Sequence, residues 1–406
     1  MKFHTPIFHV LALFCALVST QIVGAIPASA ATAPGVNWTQ QTAAVTKDWQ
    51  GVTYGNGLFV AVSNNGDGNQ VMTSPDGITW TSRVSPAGSV YWRSVTYGNG
   101  RFVAVGAGGT NRAMWSADGT TWTASSSGVL AEEWMSVTFG NSVFVAVSKQ
   151  GKYMTSADGA AWISGSPPQA NQWTGVTYAG GRFVAVAQNG TNRVMTSTNG
   201  TTWANSNTVE ASSWASVTYG NGIYVATAWG GTNRVMTSDD ATTWVSRPTA
   251  ATPGAQWLSV TFGSGQFVAV SIDAGVNRVI TSTDGIAWTG TPAASAQQWM
   301  GVAYGAGTFV AVANGSTLNT VMTSTGIADP ILDQSEWTVV PQGLPMPASG
   351  ECSDVIDAEY AWGTGLTGGW KKGWEPWVVS GNPDTPKGGW ACIRTLVNTG
   401  GDRWVV

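Results

Sequence analysis

A short polar string recurs along the chain and supplies side chains suited to contact a ligand. Its full form, Gly-Thr-Asn-Arg, ends at Arg112, Arg193 and Arg234, and a shortened form ends at Arg278. Amide and guanidinium groups donate hydrogen bonds to sugar hydroxyls and carboxylates. An exposed tryptophan can also stack on a sugar ring. The candidate ligand-binding residues are therefore Asn111, Arg112, Asn192, Arg193, Asn233, Arg234, Asn277, Arg278 and Trp229.

A structural interpretation of the same string stays open. Asparagine readily adopts the left-handed conformation that turns require. The aliphatic stem of an arginine can cover apolar surface. On that interpretation the string shapes a loop and contacts no ligand.

Acidic residues stand just before several recurring tryptophans. They are Asp48, Glu132, Glu133 and Glu210. Glycoside hydrolysis needs two carboxyl groups about 5–10 Å apart, so these residues are the candidates for a glycosidase. The alternative is that they are solvated loop charges.

The first thirty residues have the pattern of a secretory signal peptide. A basic start at Lys2 is followed by an apolar stretch, 7–18, and by the small residues Ala28-Ser29-Ala30. That stretch is shorter than the ~20 residues of a membrane span, and nothing later approaches this length. We expect cleavage after residue 30, a secreted or cell-surface location, and no membrane span in the mature chain.

Loss of that segment narrows the possible chemistry. It removes His4 and His9, the only histidines, so no imidazole remains for a catalytic triad, a metal site or acid–base work. It also removes Lys2 and changes the formal net charge from −4 to −5. A weakly acidic chain offers no basic patch for nucleic acid. We predict no catalytic residue, no cofactor, no metal and no nucleic-acid partner.

An internal repeat determines the fold class. The phrase Trp-x-x-Val-Thr-Tyr-Gly-Asn-Gly-x-Phe-Val-Ala-Val begins at Trp49 and returns, with small changes, at spacings of 43, 42, 39, 41, 43 and 42 residues. Most copies contain a second phrase, first seen as Ser74-Pro-Asp76-Gly77-Ile-Thr-Trp80. Repeats of about 40–45 residues are typical of propeller blades.

Each repeat predicts four short strands. In the first copy they are 49–54, 58–63, 70–74 and 78–83. An Asn-Gly pair between the first two strands indicates a type I′ hairpin, which needs positive φ at both residues. Four strands per unit and seven copies predict an all-β, seven-bladed β-propeller over residues 31–326.

The last copy lacks its second phrase, so the ring needs a strand from elsewhere. Trp38 stands 11 residues before Trp49, the offset of a second-phrase tryptophan. We therefore expect the N-terminal strand around Trp38 to complete the seventh blade. The rival is Trp337, which needs a longer connection.

The second phrase resembles the Asp-box of BNR-type, sialidase-like propellers, Ser-x-Asp-x-Gly-x-Thr-Trp. It is one residue shorter between Asp and Gly, and the likeness spans residues 38–326. The repeats also resemble arrays in bacterial surface and phage-tail proteins. The resemblance implies that the box is a structural turn remote from the ligand face. One carboxylate per turn is in any case a poor calcium cage, since calcium takes about 6–8 oxygens.

The C-terminal region has a different composition. A proline-containing linker, 327–350, leads to a Trp- and Gly-rich segment, 351–406. Exported cysteines usually pair, so Cys352 and Cys392 are predicted to form a disulfide that stabilises a small domain. Its tryptophans form either a carbohydrate or cell-envelope platform or a buried core.

These patterns favour a non-catalytic binding protein, carbohydrate-binding or adhesive, acting through the variable loops of the propeller. A glycan or cell-envelope component is the first candidate partner. The alternatives are a protein-interaction scaffold and a glycoside hydrolase that uses the loop carboxylates.

Overall fold

The computed structural model describes residues 33–65, 68–86, 90–206, 210–248, 254–273 and 277–325, together with the backbone of two later strands. The predicted signal peptide, the linker, Cys352 and the side chain of Cys392 lie outside the described residues. The two later strands, β29 (Gly373–Val378) and β30 (Gly388–Ile393), pair antiparallel.

The repeats form seven four-stranded antiparallel sheets, as predicted. In blades 1 to 6 the strands follow chain order from the innermost to the outermost. In chain order the strands are β1 (Thr39–Gln41), β2 (Trp49–Gly55), β3 (Leu58–Ser63), β4 (Val71–Ser74), β5 (Thr81–Arg83), β6 (Tyr91–Gly98), β7 (Arg101–Ala107), β8 (Ala113–Ser116), β9 (Thr123–Ala124), β10 (Trp134–Gly140), β11 (Val143–Ser148), β12 (Tyr153–Ser156), β13 (Ile163–Gly165), β14 (Trp173–Ala179), β15 (Arg182–Ala187), β16 (Val194–Ser197), β17 (Ala204–Ser206), β18 (Ser213–Gly220), β19 (Ile223–Gly230), β20 (Val235–Ser238), β21 (Val245–Arg247), β22 (Trp257–Gly263), β23 (Gln266–Ser271), β24 (Val279–Ser282), β25 (Thr289–Thr291), β26 (Gln298–Gly305), β27 (Thr308–Asn314) and β28 (Val321–Thr325).

The seventh blade joins both ends of the repeat region. Its sheet order is β1-β28-β27-β26, so the N-terminal strand is the outermost strand of the last blade. Thr39 pairs with Thr323 and Gln41 pairs with Val321. This confirms the predicted closure through the segment that contains Trp38.

The hydrophobic core lies between neighbouring blades. In one cluster, Val60 and Val62 of blade 1 pack against Trp92, Phe102 and Met114 of blade 2. Equivalent clusters repeat around the ring. The tryptophan that opens each first strand is at most 1% exposed in all seven blades. Burying one such side chain removes about 200 Å² from water, an upper estimate of ~5 kcal/mol.

The structure confirms the predicted hairpin turns. The predicted start of the fourth strand is wrong. Asn56 and Gly57 have φ of 47° and 75°, the positive pair that a type I′ turn requires. The fourth strand of blade 1 begins at Thr81, three residues later than expected. The backbone of the preceding residues is instead held in the second-phrase turn.

Candidate binding face

The alternating strand direction gives the propeller two different faces. One face carries the turns between first and second strands together with the second-phrase turns, and we call it the box face. The other carries the loops between second and third strands and the linkers between blades, and we call it the loop face. Asn99 in a hairpin turn donates to the carbonyl of Ala157 in the next blade's second-phrase turn at 3.2 Å, so both turn types share the box face.

Each second-phrase turn is closed by its own side chains. In blade 1 the Ser74 hydroxyl accepts a 2.8 Å hydrogen bond from the Gly77 N–H. One oxygen of Asp76 accepts from the N–H groups of Ile78 and Thr79, both at 2.8 Å. The Trp80 indole donates back to the Gly77 carbonyl at 2.8 Å. These contacts provide hydrogen-bond partners for the backbone groups of the turn. The second-phrase residues therefore have a structural role.

The same hydrogen bonds lower the pKa of carboxyl groups in the second-phrase turns. The N–H groups of Ile286 and Ala287 donate to Asp284 and lower the pKa of that carboxyl below its ordinary value. In blade 4 an amide replaces the carboxylate, and the Asn199 oxygen accepts from the N–H groups of Thr201 and Thr202 at 3.0 and 2.8 Å. The geometry therefore requires an acceptor oxygen but not a negative charge.

The seventh box is assembled from the two ends of the repeat region. Gly35 donates its N–H to the hydroxyl of Ser324 at 2.8 Å, across 289 residues. Trp38 donates its indole N–H to the Gly35 carbonyl at 2.8 Å. These are the bonds that Ser74, Gly77 and Trp80 make within one turn. The signal for this split box in the sequence is the Gly-x-x-Trp spacing of 35–38.

The four predicted arginines lie on the loop face, and all four bond to the protein itself. Each guanidinium donates to a backbone carbonyl in the linker that leads to the next blade. The acceptors are Glu132 for Arg112 at 2.8 Å, Ser212 for Arg193 at 2.7 Å, Gly254 for Arg234 and Gln297 for Arg278. The arginines thus hold each loop against its linker, while their role in ligand binding stays a prediction.

The four predicted asparagines divide into two groups. Asn233 donates from its amide to Glu210 at 2.6 Å. Asn111, Asn192 and Asn277 make no side-chain hydrogen bond among the described residues, and Asn111 is exposed. Trp229, near the loop-face end of β19, is 39% exposed. The side chains left available to a ligand are therefore three amides and one indole.

Asp48 and Glu133, two of the candidate carboxylates, contact neighbouring loops. Asp48 accepts from the Asn65 amide at 3.2 Å and from the Gly315 N–H at 3.2 Å. Glu133 lies 3.7 Å from the Lys149 ammonium. They precede different blades, as Glu210 does. Within the described ranges, no three His, Cys, Asp or Glu side chains are grouped to hold a metal, and no helix is long and apolar enough to cross a membrane.

The central channel contains a feature that the repeat pattern did not predict. In every blade the residue after the first-strand tryptophan lies where the strand register shifts, which marks a β-bulge. A bulge re-aims side chains. The seven bulge residues line a cavity of about 160 Å³. We call them the channel ring, and they are Gln50, Arg93, Met135, Thr174, Ala215, Leu258 and Met300.

The channel ring is variable, whereas its surroundings repeat. Serine hydroxyls just below it join neighbouring blades, as where Ser94 accepts from the Val137 N–H at 3.2 Å and Ser136 accepts from the Val176 N–H at 3.2 Å. Because the ring residues stand near the start of each innermost strand, they lie at the loop-face end of the channel. The loop face and the channel ring thus form one continuous variable surface.

Comparisons with known proteins support the architecture. The family model of the DUF6242 beta propeller domain matches residues 82–213, about a third of the chain. The Asp-box assignment has no such support. No curated protein matches the chain.

Several solved structures share the fold. Virginiamycin B lyase from Staphylococcus aureus is 12% identical with a TM-score of 0.63, covering 71% of this chain and 99% of that one. YCF48 from Cyanidioschyzon merolae is 15% identical with a TM-score of 0.53, covering 71% and 98%. The WD40 propeller domain of Doa1 is 12% identical with a TM-score of 0.52, covering 75% and 99%. At these identities the likeness shows the propeller fold alone.

Proposed function

We propose that this chain is a secreted, non-catalytic binding protein that recognises a carbohydrate or cell-envelope component through its loop face. One observation carries the proposal. Residue variation between blades is concentrated on the loop face and in the channel ring, whereas the box face repeats. Variable loops on a rigid scaffold are a common location of binding sites.

The available side chains favour a polar, uncharged ligand. Asn111, Asn192 and Asn277 retain free amide donors and acceptors, which match sugar hydroxyls. Trp229 adds an exposed aromatic ring on the same face. The arginines contribute indirectly, since each holds its asparagine's loop against the neighbouring linker.

Binding of the purified chain to glycans and cell-wall fractions tests the proposal. A triple variant, Asn111→Ala, Asn192→Ala and Asn277→Ala, should weaken saturable binding at least tenfold. Asn205→Ala is the matched control, because Asn205 is an exposed amide on the outer strand β17. Absence of binding at millimolar sugar, or equal binding by the triple variant, would overturn the proposal.

A protein partner is the second candidate, and exposed apolar side chains favour it. Several large apolar residues on the loop face are more than a third exposed, and these are Val84, Tyr91, Leu130, Trp229 and Leu318. Exposed apolar side chains on one face supply contact area for a protein interface. With a purified partner in hand, Trp229→Ala should weaken that complex and leave glycan binding by the asparagines less affected.

Three finer assignments belong to the same proposal. We propose that the second phrase is a shortened Asp-box, that residues 1–30 direct secretion, and that Cys352 and Cys392 form a disulfide in a small C-terminal domain. Intact mass of the exported chain with and without reductant tests the last two. A mass that retains residues 1–30, or two free thiols before reduction, contradicts the corresponding assignment.

A further inference from the structure

The wall of the central channel presents polar groups to the cavity that it encloses. The surface of this cavity is almost entirely polar, although methionine and leucine side chains stand in the channel ring. Arg93 is the only charged side chain among the described residues that line it. The cavity therefore combines one positive charge with uncharged polar groups, and no acidic side chain opposes that charge.

The innermost strands turn backbone groups toward the channel. In an antiparallel pair, every second residue directs its N–H and C=O away from its partner strand. Val137 of β10, which lies opposite Ala146, is such a residue, and its N–H donates to the Ser94 hydroxyl of the preceding blade at 3.2 Å. The same contact recurs at three further junctions between blades, where Ser136 accepts from Val176, Ser216 from Val260 and Ser259 from Val302.

The other three junctions lack this hydroxyl because glycine stands at the serine position. The glycines are Gly301, Gly51 and Gly175, and the N–H groups that they leave without a hydroxyl are those of Val52, Val95 and Val217. A Cβ on Gly51 would lie 2.8 Å from the Arg93 carbonyl oxygen, so the close approach of the two blades excludes a serine there. No other acceptor for the three N–H groups is found among the described residues. Val52 and Val95 belong to neighbouring blades, on the side of the channel that carries Arg93.

The Arg93 guanidinium is oriented by its neighbours and keeps one end available. Its Nη1 donates to the Gln50 side-chain oxygen at 3.1 Å, and Gln50 in turn donates to the Asn314 side-chain oxygen at 2.5 Å. The Nε atom is buried, so a ligand in the cavity does not reach it. The Nη2 atom is neither buried nor hydrogen-bonded among the described residues. A ligand in the channel can therefore accept from Nη2.

These donors match a small oxyanion. Backbone N–H groups that converge on one concavity bind anions, and a guanidinium forms charge-assisted hydrogen bonds to oxyanions such as phosphate. The cavity volume is about 160 Å³. A cavity of roughly 150 Å³ holds a benzene-sized molecule, and a tetrahedral oxyanion is no larger than that.

We propose that the central channel binds a tetrahedral oxyanion, phosphate or sulfate, between the Nη2 atom of Arg93 and the free N–H groups of Val52 and Val95. The site is independent of the loop-face asparagines and goes beyond the proposed recognition of a glycan. Its selectivity rests on charge, because the donors that face the ligand are not offset by any acidic side chain in the lining.

Calorimetric titration of the full chain with sulfate and with phosphate, in a buffer free of other oxyanions, tests the proposal. Wild-type protein should bind both, and Arg93→Gln should weaken binding at least tenfold. Arg247→Gln is the matched control, because it removes the same charge from the outer strand β21 and should leave binding unchanged.

A second pair of variants tests the charge without altering Arg93. Met300 is the channel-ring residue of blade 7. Met300→Glu adds a carboxylate to the ring and should weaken oxyanion binding at least tenfold. Met300→Gln has nearly the same shape without the charge and should bind as the wild type does. The thermal midpoint of each variant reports whether it folds.

Three results would overturn the proposal. They are absence of binding by the wild type at millimolar oxyanion, equal binding by wild type and Arg93→Gln, and an equal loss of binding in the two Met300 variants. The triple asparagine variant should bind sulfate normally, so failure here and failure of glycan binding are distinguishable.

Discussion

The box face and the loop face of this propeller are built by the same seven repeats under opposite constraints. On the box face each turn must satisfy its own backbone, and the residues that do so recur from blade to blade. Ser74 accepts from the Gly77 N–H, and Asp76 accepts from the N–H groups of Ile78 and Thr79. On the loop face fewer contacts recur: those of the arginines, and the N–H bonds of residues such as Asp48 and Gln172 to a side-chain oxygen of the adjacent loop. The remaining positions vary. The difference teaches that repetition in this chain marks scaffold and that local variation marks the surface free to specialise.

The largest expected effect comes from removing a box tryptophan. Trp122 is 8% exposed and donates to the Gly119 carbonyl at 2.9 Å. Trp122→Ala should lower the free energy of unfolding by about 3–5 kcal/mol. Trp229→Ala on the loop face should cost less than half of that, because that ring is 39% exposed. Urea unfolding followed by circular dichroism measures both, and equal losses would contradict the division into two faces.

A methyl group added to a box glycine should have the next largest effect. Gly77 has φ of 76°, and a Cβ there would lie 2.6 Å from Val310 Cγ2. Strain and overlap together should make Gly77→Ala cost about 2–4 kcal/mol.

Gly57→Ala is its control, because Gly57 has φ of 75° with open space around it. Strain alone should cost about 1–2 kcal/mol there. The difference between the two variants in thermal denaturation gives the part of the destabilisation that comes from steric overlap. A Gly57 variant as unstable as the Gly77 variant would show that the box glycine is kept for its conformation alone.

Replacing a serine of the second-phrase turn tests whether the split seventh turn contributes as much to stability as a continuous one. Ser324→Ala leaves the buried Gly35 N–H without its acceptor, which should cost about 1–3 kcal/mol. Ser74→Ala makes the same change within one turn. Limited proteolysis should release the N-terminal strand only in the Ser324 variant. Identical proteolytic patterns would mean that Ser324 does not help to hold the ring closed.

Acid should produce the smallest effect. The Thr120 hydroxyl and the Thr121 N–H donate to Asp118 and lower its pKa, and other box carboxyls shift in the same direction. A carboxyl with a lowered native pKa contributes stability above its unfolded pKa of about 3.9, and this is lost as pH falls through the native pKa.

Melting midpoints at pH 7 and pH 3 measure this loss. Asp118→Asn copies the amide that blade 4 carries naturally at Asn199. It should lower the midpoint at pH 7 slightly, because the contribution of the carboxylate is gone, and reduce the further fall at pH 3. A variant as acid-sensitive as the wild type would show that this box carboxylate does not contribute to acid lability.

The sequence was sufficient to predict the fold because each constraint recurs. Buried tryptophans, Asn-Gly turns and box residues return at nearly constant spacing, and Trp38 fitted that spacing at the missing position. The start of the fourth strand was misjudged because Asp76 captures the N–H groups of Ile78 and Thr79 and keeps them in the turn. Nothing in the alternation of apolar and polar residues signals that capture.

The candidate site was harder to predict because it depends on what does not recur. The Gly-Thr-Asn-Arg string located the loop face, but it could not show that the arginines bond to linker carbonyls. Arg93 follows a tryptophan inside a repeated phrase, where a changing residue looks like neutral drift. Only the bulge that turns this position into the channel shows that Arg93 and Met300 belong to one cavity.

The three-residue closing strand also has a mechanical consequence. Because β1 and β28 are antiparallel, the chain enters β1 and leaves β28 at the same end of the pair, beside Thr39 and Thr323. Tension between residues 33 and 325 would therefore unzip the hydrogen bonds one after another instead of shearing them together. Such a clasp should yield at low force, so under load in that direction the ring would open before any single blade came apart.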